Sequence, residues 1–231
     1  MEQKMYTYPK IRNVLSQAFS MRSDAHALEL FSRDGGLQVA AWAPLFAEVI
    51  GLDINEEYAK DFSKNIANGT GVCCNSIEEV LNDTLCKRLQ RNNFDLVSAD
   101  HPCGMYGEVG VDGLPRYCDH IDFVHRLPSL VADGGFLLFH INIAPFRPSA
   151  AAGSLDSYGM TDSMFNIWME RRKSFYGRHD VEFIPVFTLV DFYEELLSVE
   201  REFRLAEWEA NPAIALGRDS PNIVYLLFRA M

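Results

Sequence analysis

Three short strings in this 231-residue sequence concentrate residue types that do chemistry. Asp100-His101-Pro102-Cys103 sets a carboxylate, an imidazole and a thiol within four residues. Ser32-Arg33-Asp34-Gly35-Gly36 is a glycine turn, and eighteen residues beyond Gly35 the carboxylate of Asp53 closes an apolar run. Glycines at such a turn let backbone approach a ligand closely. A strand-end carboxylate can accept hydrogen bonds from both hydroxyls of a ribose, or it can simply cap the following helix. The third string, Trp168 to His179, interleaves Arg171, Arg172, Lys173 and Arg178 with Phe175 and Tyr176. It suits a substrate phosphate with an aromatic stacking beside it, or an ordinary helix face whose aromatics point inward. His101-x-Cys103 and Cys118-x-His120 are four ligand types that suit tetrahedral zinc, but their spacing matches no common module, so no metal is expected. Cys73, Cys74 and Cys86 read as small buried hydrophobes. His140 and Asn142, at the end of a later apolar run, line a pocket or belong to the core.

The elements that must position these groups follow from hydrophobic periodicity. Ile11, Val14, Leu15 and Phe19 predict a helix over Lys10–Met21. Strands are expected at Ala25–Phe31, Ala47–Leu52, Gly71–Cys74, Phe94–Ala99 and Phe136–Ile143. Between them fall predicted helices at Leu37–Leu45, Asn55–Asn68 (capped by Asn55), Ser76–Arg91 (with Ser76 and Glu79 as a capping box) and Cys118–Val131. This alternation predicts parallel βαβ units, and the near-continuously apolar strands predict a sheet covered on both faces. Pro145–Gly159, rich in Ala, Ser, Pro and Gly, reads as a loop. A helix over Asp162–Phe175, another over Leu189–Val199 and a terminal hairpin of Phe203–Trp208 with Asn222–Arg229 complete the chain. The expectation is one α/β domain over residues 1–231, with a substrate-side insertion at about 145–180.

Composition narrows the class. Hydrophobic residues are 48% and charged residues 23%, which predicts a sizeable core rather than disorder. A net charge of −11 weighs against nonspecific coating of nucleic acid, which needs clustered Lys and Arg, although the local field at a site still decides. The polar stretch Met1–Lys10 lacks the apolar run of a signal peptide, no segment has the length of a membrane span, and five cysteines make no disulfide framework. A cytoplasmic location, without membrane, is expected.

Glu29-Leu-Phe-Ser-Arg-Asp-Gly-Gly36 resembles the first motif of the class I S-adenosylmethionine-dependent methyltransferases, with Arg33 in place of the first glycine. Gly51-Leu-Asp-Ile54 is similar to their second motif, Asn75-Ser76 falls where they carry a residue beside the adenine amine, and Ala132–Phe139 is similar to the passage into their fifth strand. The resemblance implies a Rossmann-like sheet of about seven strands with helices on both faces. It implies S-adenosyl-L-methionine as cofactor, held by Glu29, Phe31, Ser32, Gly35, Gly36, Asp53, Ile54, Asn75, Ser76 and Asp100. Arg33 then sets a side chain where the methionine moiety passes. The absence of a full Gly-x-Gly-x-x-Gly pattern speaks against a pyrophosphate-bearing cofactor.

Asp100-His101-Pro102-Cys103 resembles the Asp/Asn-Pro-Pro-Tyr motif of methyltransferases acting on the amines of nucleic-acid bases. By that resemblance Asp100 and the carbonyl of His101 orient the amine toward the methyl group, and Pro102 fixes the turn. Cys103 stands where an aromatic stacks on the base, leaving Tyr106 or Tyr117 as replacements. The same string is similar to the Asp-x-Pro-Cys passage of cytosine carbon-5 methyltransferases, which work through a thiolate. Those enzymes need a later Glu, where this chain reads His140-Ile-Asn142. The favoured expectation is methyl transfer to a base amine in DNA or RNA, with Arg171, Arg172, Lys173 and Arg178 as contacts. A small-molecule or protein acceptor, and a non-catalytic binding protein of the same fold, are the alternatives.

Overall fold

The computed structural model describes residues 9–35, 39–99, 105–110, 115–145, 161–210 and 223–231, with 105–109 described by backbone alone. Helix α1 (Pro9–Phe19) opens on proline, whose missing N–H costs nothing at a first helical position. It buries Ile11, Leu15 and Phe19, spaced four apart on one face. Strand β1 (His26–Glu29), helix α2 (Val39–Trp42), β2 (Glu48–Asp53), α3 (Glu56–Asn65) and β3 (Gly69–Cys73) follow as the sequence predicts. Asn55 caps α3, its side chain accepting from the N–H of Glu57 at 2.9 Å.

The predicted helix over Ser76–Arg91 is two, α4 (Ser76–Leu81) and α5 (Leu85–Leu89), broken where Asp83 takes a φ of 55°. The cap of α4 is not the expected Ser76–Glu79 box: Asn75 accepts from the N–H of Glu78. After β4 (Phe94–Ala99) comes a larger difference. Before the predicted helix over Cys118–Val131, β5 (Met105–Val109) pairs antiparallel with β6 (Pro115–Cys118), and in place of that helix stands a 3₁₀ run over Val124–Leu130. Asp119 turns to a φ of 53°, which ends regular structure there. Pro128 then removes a donor inside the run. The 12-residue β7 (Val131–Asn142) absorbs the Asp133-Gly-Gly135 turn as an irregularity in its pairing with β4. Helix α6 (Asp162–Tyr176), helix α7 (Val186–Leu197), β8 (Phe203–Ala210) and β9 (Ile223–Ala230) complete the described chain.

Seven strands form one sheet in the order β3-β2-β1-β4-β7-β9-β8. β1 to β4 and β7 run parallel, while β9 lies antiparallel between β7 and β8, as the terminal hairpin predicts. Along β7 the side chains alternate between two cores. Phe136 and Leu138 join α1, α2 and α3 around Phe19, Trp42 and Phe62. Leu137 and Phe139 join α4, α6, α7 and the 3₁₀ run around Phe123, Trp168 and Tyr193. Both faces are therefore covered, which is why the inner strands β1, β2, β4 and β7 are largely apolar. Gly71 shows how closely α3 packs: a Cβ there would lie 1.8 Å from the carbonyl oxygen of Ala59. No described helix is long and apolar enough to cross a membrane.

Candidate functional site

The carboxyl ends of β1, β2 and β3 form a continuous rim. Past Glu29, the N–H of Leu30 bonds the carbonyl of Ser98 and that of Ser32 bonds the carbonyl of Leu52, both at 2.9 Å. Those two bonds steer the chain between its neighbours before it turns. Arg33 then adopts a φ of 45° and Gly35 a φ of 73°, with the Gly35 N–H closing onto the Ser32 carbonyl at 2.9 Å. Gly35 is required twice over, since a Cβ would also lie 2.7 Å from Cγ1 of Ile66. Gly36 lies outside the described residues.

Asp53 ties this turn to the next strand. Its Oδ2 accepts from the N–H of Arg33 at 3.0 Å and its Oδ1 from the N–H of Asn55 at 2.8 Å. The carboxylate thus braces the entry to α3 and, with one acceptor site left on each oxygen, remains able to take two hydroxyls. Bracing the helix entry does not use up the carboxylate. Arg33 does not fill the rim, because its guanidinium lies 5.9 Å above the ring of Tyr58 on α3. Glu29 is fully buried and accepts from the N–H of Phe31 at 3.3 Å, while Phe31 packs on Phe123 at 5.6 Å. Ser32 and Ser76 are buried, and Asn75 spends its carbonyl oxygen on the α4 cap. Ile54, beside Asp53, is 70% exposed, an uncovered apolar surface beside the carboxylate.

These groups fit an adenosine-type cofactor. A fixed carboxylate suits a vicinal diol, exposed Ile54 suits the face of an aromatic ring, and the glycine turn brings backbone close.

At the neighbouring edge β4 ends at Ala99, and Asp100, His101, Pro102, Cys103 and Gly104 lie outside the described residues. Tyr106 stands on β5 opposite Tyr117 in register. Tyr117 is not a stacking surface: it is 5% exposed and its hydroxyl donates to Oε1 of Glu78. Burial and the Glu78 carboxylate push its pKa up to about 12.

Under this edge lies a buried polar layer that the sequence does not announce. Nδ1 of His120 meets Oδ1 of Asp119 at 2.9 Å, Nε2 of His120 meets the hydroxyl of Tyr193, and the Tyr193 and Tyr176 hydroxyls are 2.8 Å apart. Burial alone would raise the Asp119 carboxyl. The charges of His120, Arg172 and His140 together outweigh it and hold the pKa below the ordinary value. Both ring nitrogens of His120 are thus engaged by side chains. Burial drives the Cys118 thiol far upward, away from the thiolate a metal needs. Among the described residues no group of three or more His, Cys, Asp or Glu could hold a metal.

The basic string on α6 is partly structural, which removes Arg172 from the expected nucleic-acid contacts. Arg172 is fully buried; Nη2 donates to the carbonyl of Asn142 at 2.9 Å, and Nη1 lies 3.6 Å from Oδ2 of Asp119. Arg171 pairs with Asp122 at 3.3 Å and Lys173 with Glu170 at 2.7 Å, while Arg178 is half-buried. Phe175 and Tyr176 turn inward, onto Phe192 and Tyr193. The signal was available: Phe165, Trp168, Arg172 and Tyr176 fall on one helical stripe, so Arg172 occupies a core position. His140 is buried with its ring 5.6 Å from that of Tyr225, and Asn142 is fully buried.

The strand order and the two-faced sheet define the Rossmann-like fold of the class I S-adenosylmethionine-dependent methyltransferases, and the chain has that fold. No family model matches the sequence, and no curated protein matches it. Among solved structures it is similar to the trans-methyltransferase CalH in complex with SAH, at 13% identity and a TM-score of 0.57. That match covers 96% of this chain and 56% of CalH, so the chain spans little more than half of CalH's length. It is also similar to the N-methyltransferase NodS from Bradyrhizobium japonicum in complex with S-adenosyl-L-homocysteine, at 11% identity, 94% and 84% coverage and a TM-score of 0.49. An rRNA methylase from Streptococcus thermophilus matches at 10% identity, 96% and 94% coverage and a TM-score of 0.49.

Proposed function

We propose that this protein is an S-adenosylmethionine-dependent methyltransferase whose acceptor is an amine of a nucleic-acid base. The observation that carries the reading is the Asp53 carboxylate, fixed by two backbone N–H groups at the end of β2 beside the Gly35 turn. In the fold shared with CalH, which was crystallised with SAH, that placement suits the ribose of the cofactor. Asp53 takes the ribose hydroxyls, Ile54 lies against the adenine with Asn75 and Ser76 at its edge, and Glu29, Phe31, Ser32, Gly35 and Gly36 border the methionine half. The bound cofactor supplies a methyl group on a sulfonium, so the chain's own task is to hold and aim a nucleophile.

Asp100, which follows β4 directly, accepts a hydrogen bond from the acceptor amine together with the carbonyl of His101, and so turns the nitrogen lone pair toward the methyl. Pro102 stiffens that turn, and Cys103 and Tyr106 border the acceptor. The segment at about 145–180 forms the substrate side of the site. A small-molecule or protein acceptor is the second reading, favoured by the burial of Arg172 and the pairing of Arg171 and Lys173. The test is transfer of a tritiated methyl group from S-adenosylmethionine to DNA, RNA and cell extract. Label in nucleic acid is the expected result; label confined to protein or metabolites establishes the second reading. No transfer to any of them overturns both.

A further inference from the structure

Phe183 and Phe187 bracket the start of α7 and are 56% and 68% exposed. The helix buries Leu189, Val190, Tyr193 and Leu197. Phe187 falls outside that stripe, and Asp191, one turn further on, is exposed with it. The ring of Trp208 on β8 lies 6.4 Å from that of Phe187, edge to face. The Lys10 ammonium sits over the same Trp208 ring, 5.5 Å from its centre. Large aromatic side chains left in water forgo the free energy of burial, and where they cluster they mark an interaction surface.

The patch stands at the same end of the sheet as the Asp53 rim. The N–H of Ile184 bonds the carbonyl of Ile143, one residue past the end of β7, and so ties the entry of α7 to that end. β8 runs parallel to β7, since both are antiparallel to β9, and Trp208 near its close lies there as well. From β4 to β8 the sheet order gives three strand spacings, about 14 Å in all. A group seated on the patch is therefore docked beside the end of β4 rather than at it.

Charge decides what covers it. Exposed Glu182 adjoins Phe183, exposed Asp191 follows Phe187 by one turn, and the chain as a whole carries −11. Nucleic acid, an anionic membrane surface and a second copy of this chain all bring like charge to that border. A cationic partner brings the opposite charge, and Lys10 shows that the Trp208 ring accepts an ammonium. We infer that this patch docks a basic segment of a partner protein. One apolar side chain of the segment seats against Phe187 and Trp208, and its Lys or Arg side chains face Glu182 and Asp191. Aromatic anchors bordered by a polar rim are the common makeup of such docking surfaces. The patch lies outside the Asp53 rim, so it serves this role whatever the rim binds.

The test titrates the full chain into two fluorescently labelled amphipathic peptides, one of leucine and lysine, the other with every lysine replaced by glutamate. The leucine–lysine peptide is expected to bind and the leucine–glutamate peptide is not. Phe183→Ser with Phe187→Ser should weaken the first at least about tenfold, the scale of losing aromatic anchors, and should melt as wild type does because both rings are exposed. Glu182→Lys with Asp191→Lys should weaken it as much. Glu56→Lys with Glu200→Lys makes the same change of net charge at exposed sites elsewhere, and should leave affinity within about threefold, since distant surface charges are screened. Equal affinity in all variants, or no binding of the leucine–lysine peptide to the wild type, overturns the inference. Sedimentation that shows a wild-type dimer which the two phenylalanine changes dissociate assigns the patch to a second copy. Binding of a labelled single-stranded RNA oligonucleotide that the same two changes abolish assigns it to nucleic acid. Either of these overturns it too.

Discussion

The backbone N–H of Arg33 donates to Oδ2 of Asp53 across 3.0 Å, joining the turn after β1 to the end of β2. The bond explains how an arginine occupies a position where the first motif of the class I methyltransferases carries glycine. Its backbone takes the left-handed conformation, its N–H is satisfied by the carboxylate, and its side chain leaves over Tyr58. The rim is shaped by the backbone of Arg33, not filled by its guanidinium.

Asp53→Ala should weaken S-adenosylhomocysteine binding by about 1.5 kcal/mol or more, the scale of a hydrogen bond to a charged group. It also frees the N–H groups of Arg33 and Asn55, so hydrogen exchange at those two amides should accelerate. Calorimetry and amide exchange on the same variant check both effects. Unchanged affinity would remove Asp53 from the cofactor site.

Arg33→Gly should leave cofactor affinity within about threefold, because the side chain points away from the rim. Left-handed backbone costs a non-glycine residue roughly 1–2 kcal/mol, which glycine relieves, partly offset by its greater freedom when unfolded. Thermal melting should therefore show a variant at least as stable as wild type. A tenfold loss of affinity would mean that the guanidinium contacts the cofactor.

Asp119→Asn should destabilise the protein at neutral pH by about 3 kcal/mol, since it leaves the buried Arg172 without its carboxylate. The folded pKa of Asp119 is held below the ordinary aspartate value of 3.8, so the charged form stabilises the native state above that pH. That contribution is lost as pH falls from 3.8 through the lower folded value. Urea unfolding should show a gap between wild type and variant that is constant from pH 7 to about pH 5 and narrows in acid. A gap that widens on acidification would contradict the assignment.

Much of the sheet was legible because the inner strands are largely apolar runs bounded by turn residues, and Asn55 marked the start of α3 unaided. The glycine turn and Asp53 could be found by spacing, since both serve the backbone locally. Two features could not be read in that way. Val124, Leu127 and Leu130 recur every third residue, a period shared by a 3₁₀ run and an α-helix, so the segment was read as the commoner element. Arg172 meets the carbonyl of Asn142 and the carboxylate of Asp119 across 30 and 53 positions of sequence, and no local pattern reports such pairings. Polar type suggested exposure for Arg172, while its place on the α6 stripe decided its burial.

Asp100→Ala should still bind S-adenosylhomocysteine but lose turnover by roughly 100- to 10,000-fold, the range of a positioned polar group at the reacting centre. Cys103→Ser should retain most activity if the acceptor is an amine, because only a thiolate mechanism depends on sulfur. Steady-state kinetics on the two variants separate these chemistries. Normal turnover in Asp100→Ala would reduce Asp100-His101-Pro102-Cys103 to a structural turn.

The central claim is that the rim around Asp53 holds an adenosine-type cofactor, and titration calorimetry of the wild-type protein with S-adenosylhomocysteine tests it most directly. The account predicts saturable binding of one molecule per chain well below millimolar concentration. Absence of any binding heat at millimolar cofactor, from protein whose thermal unfolding is cooperative, would contradict it.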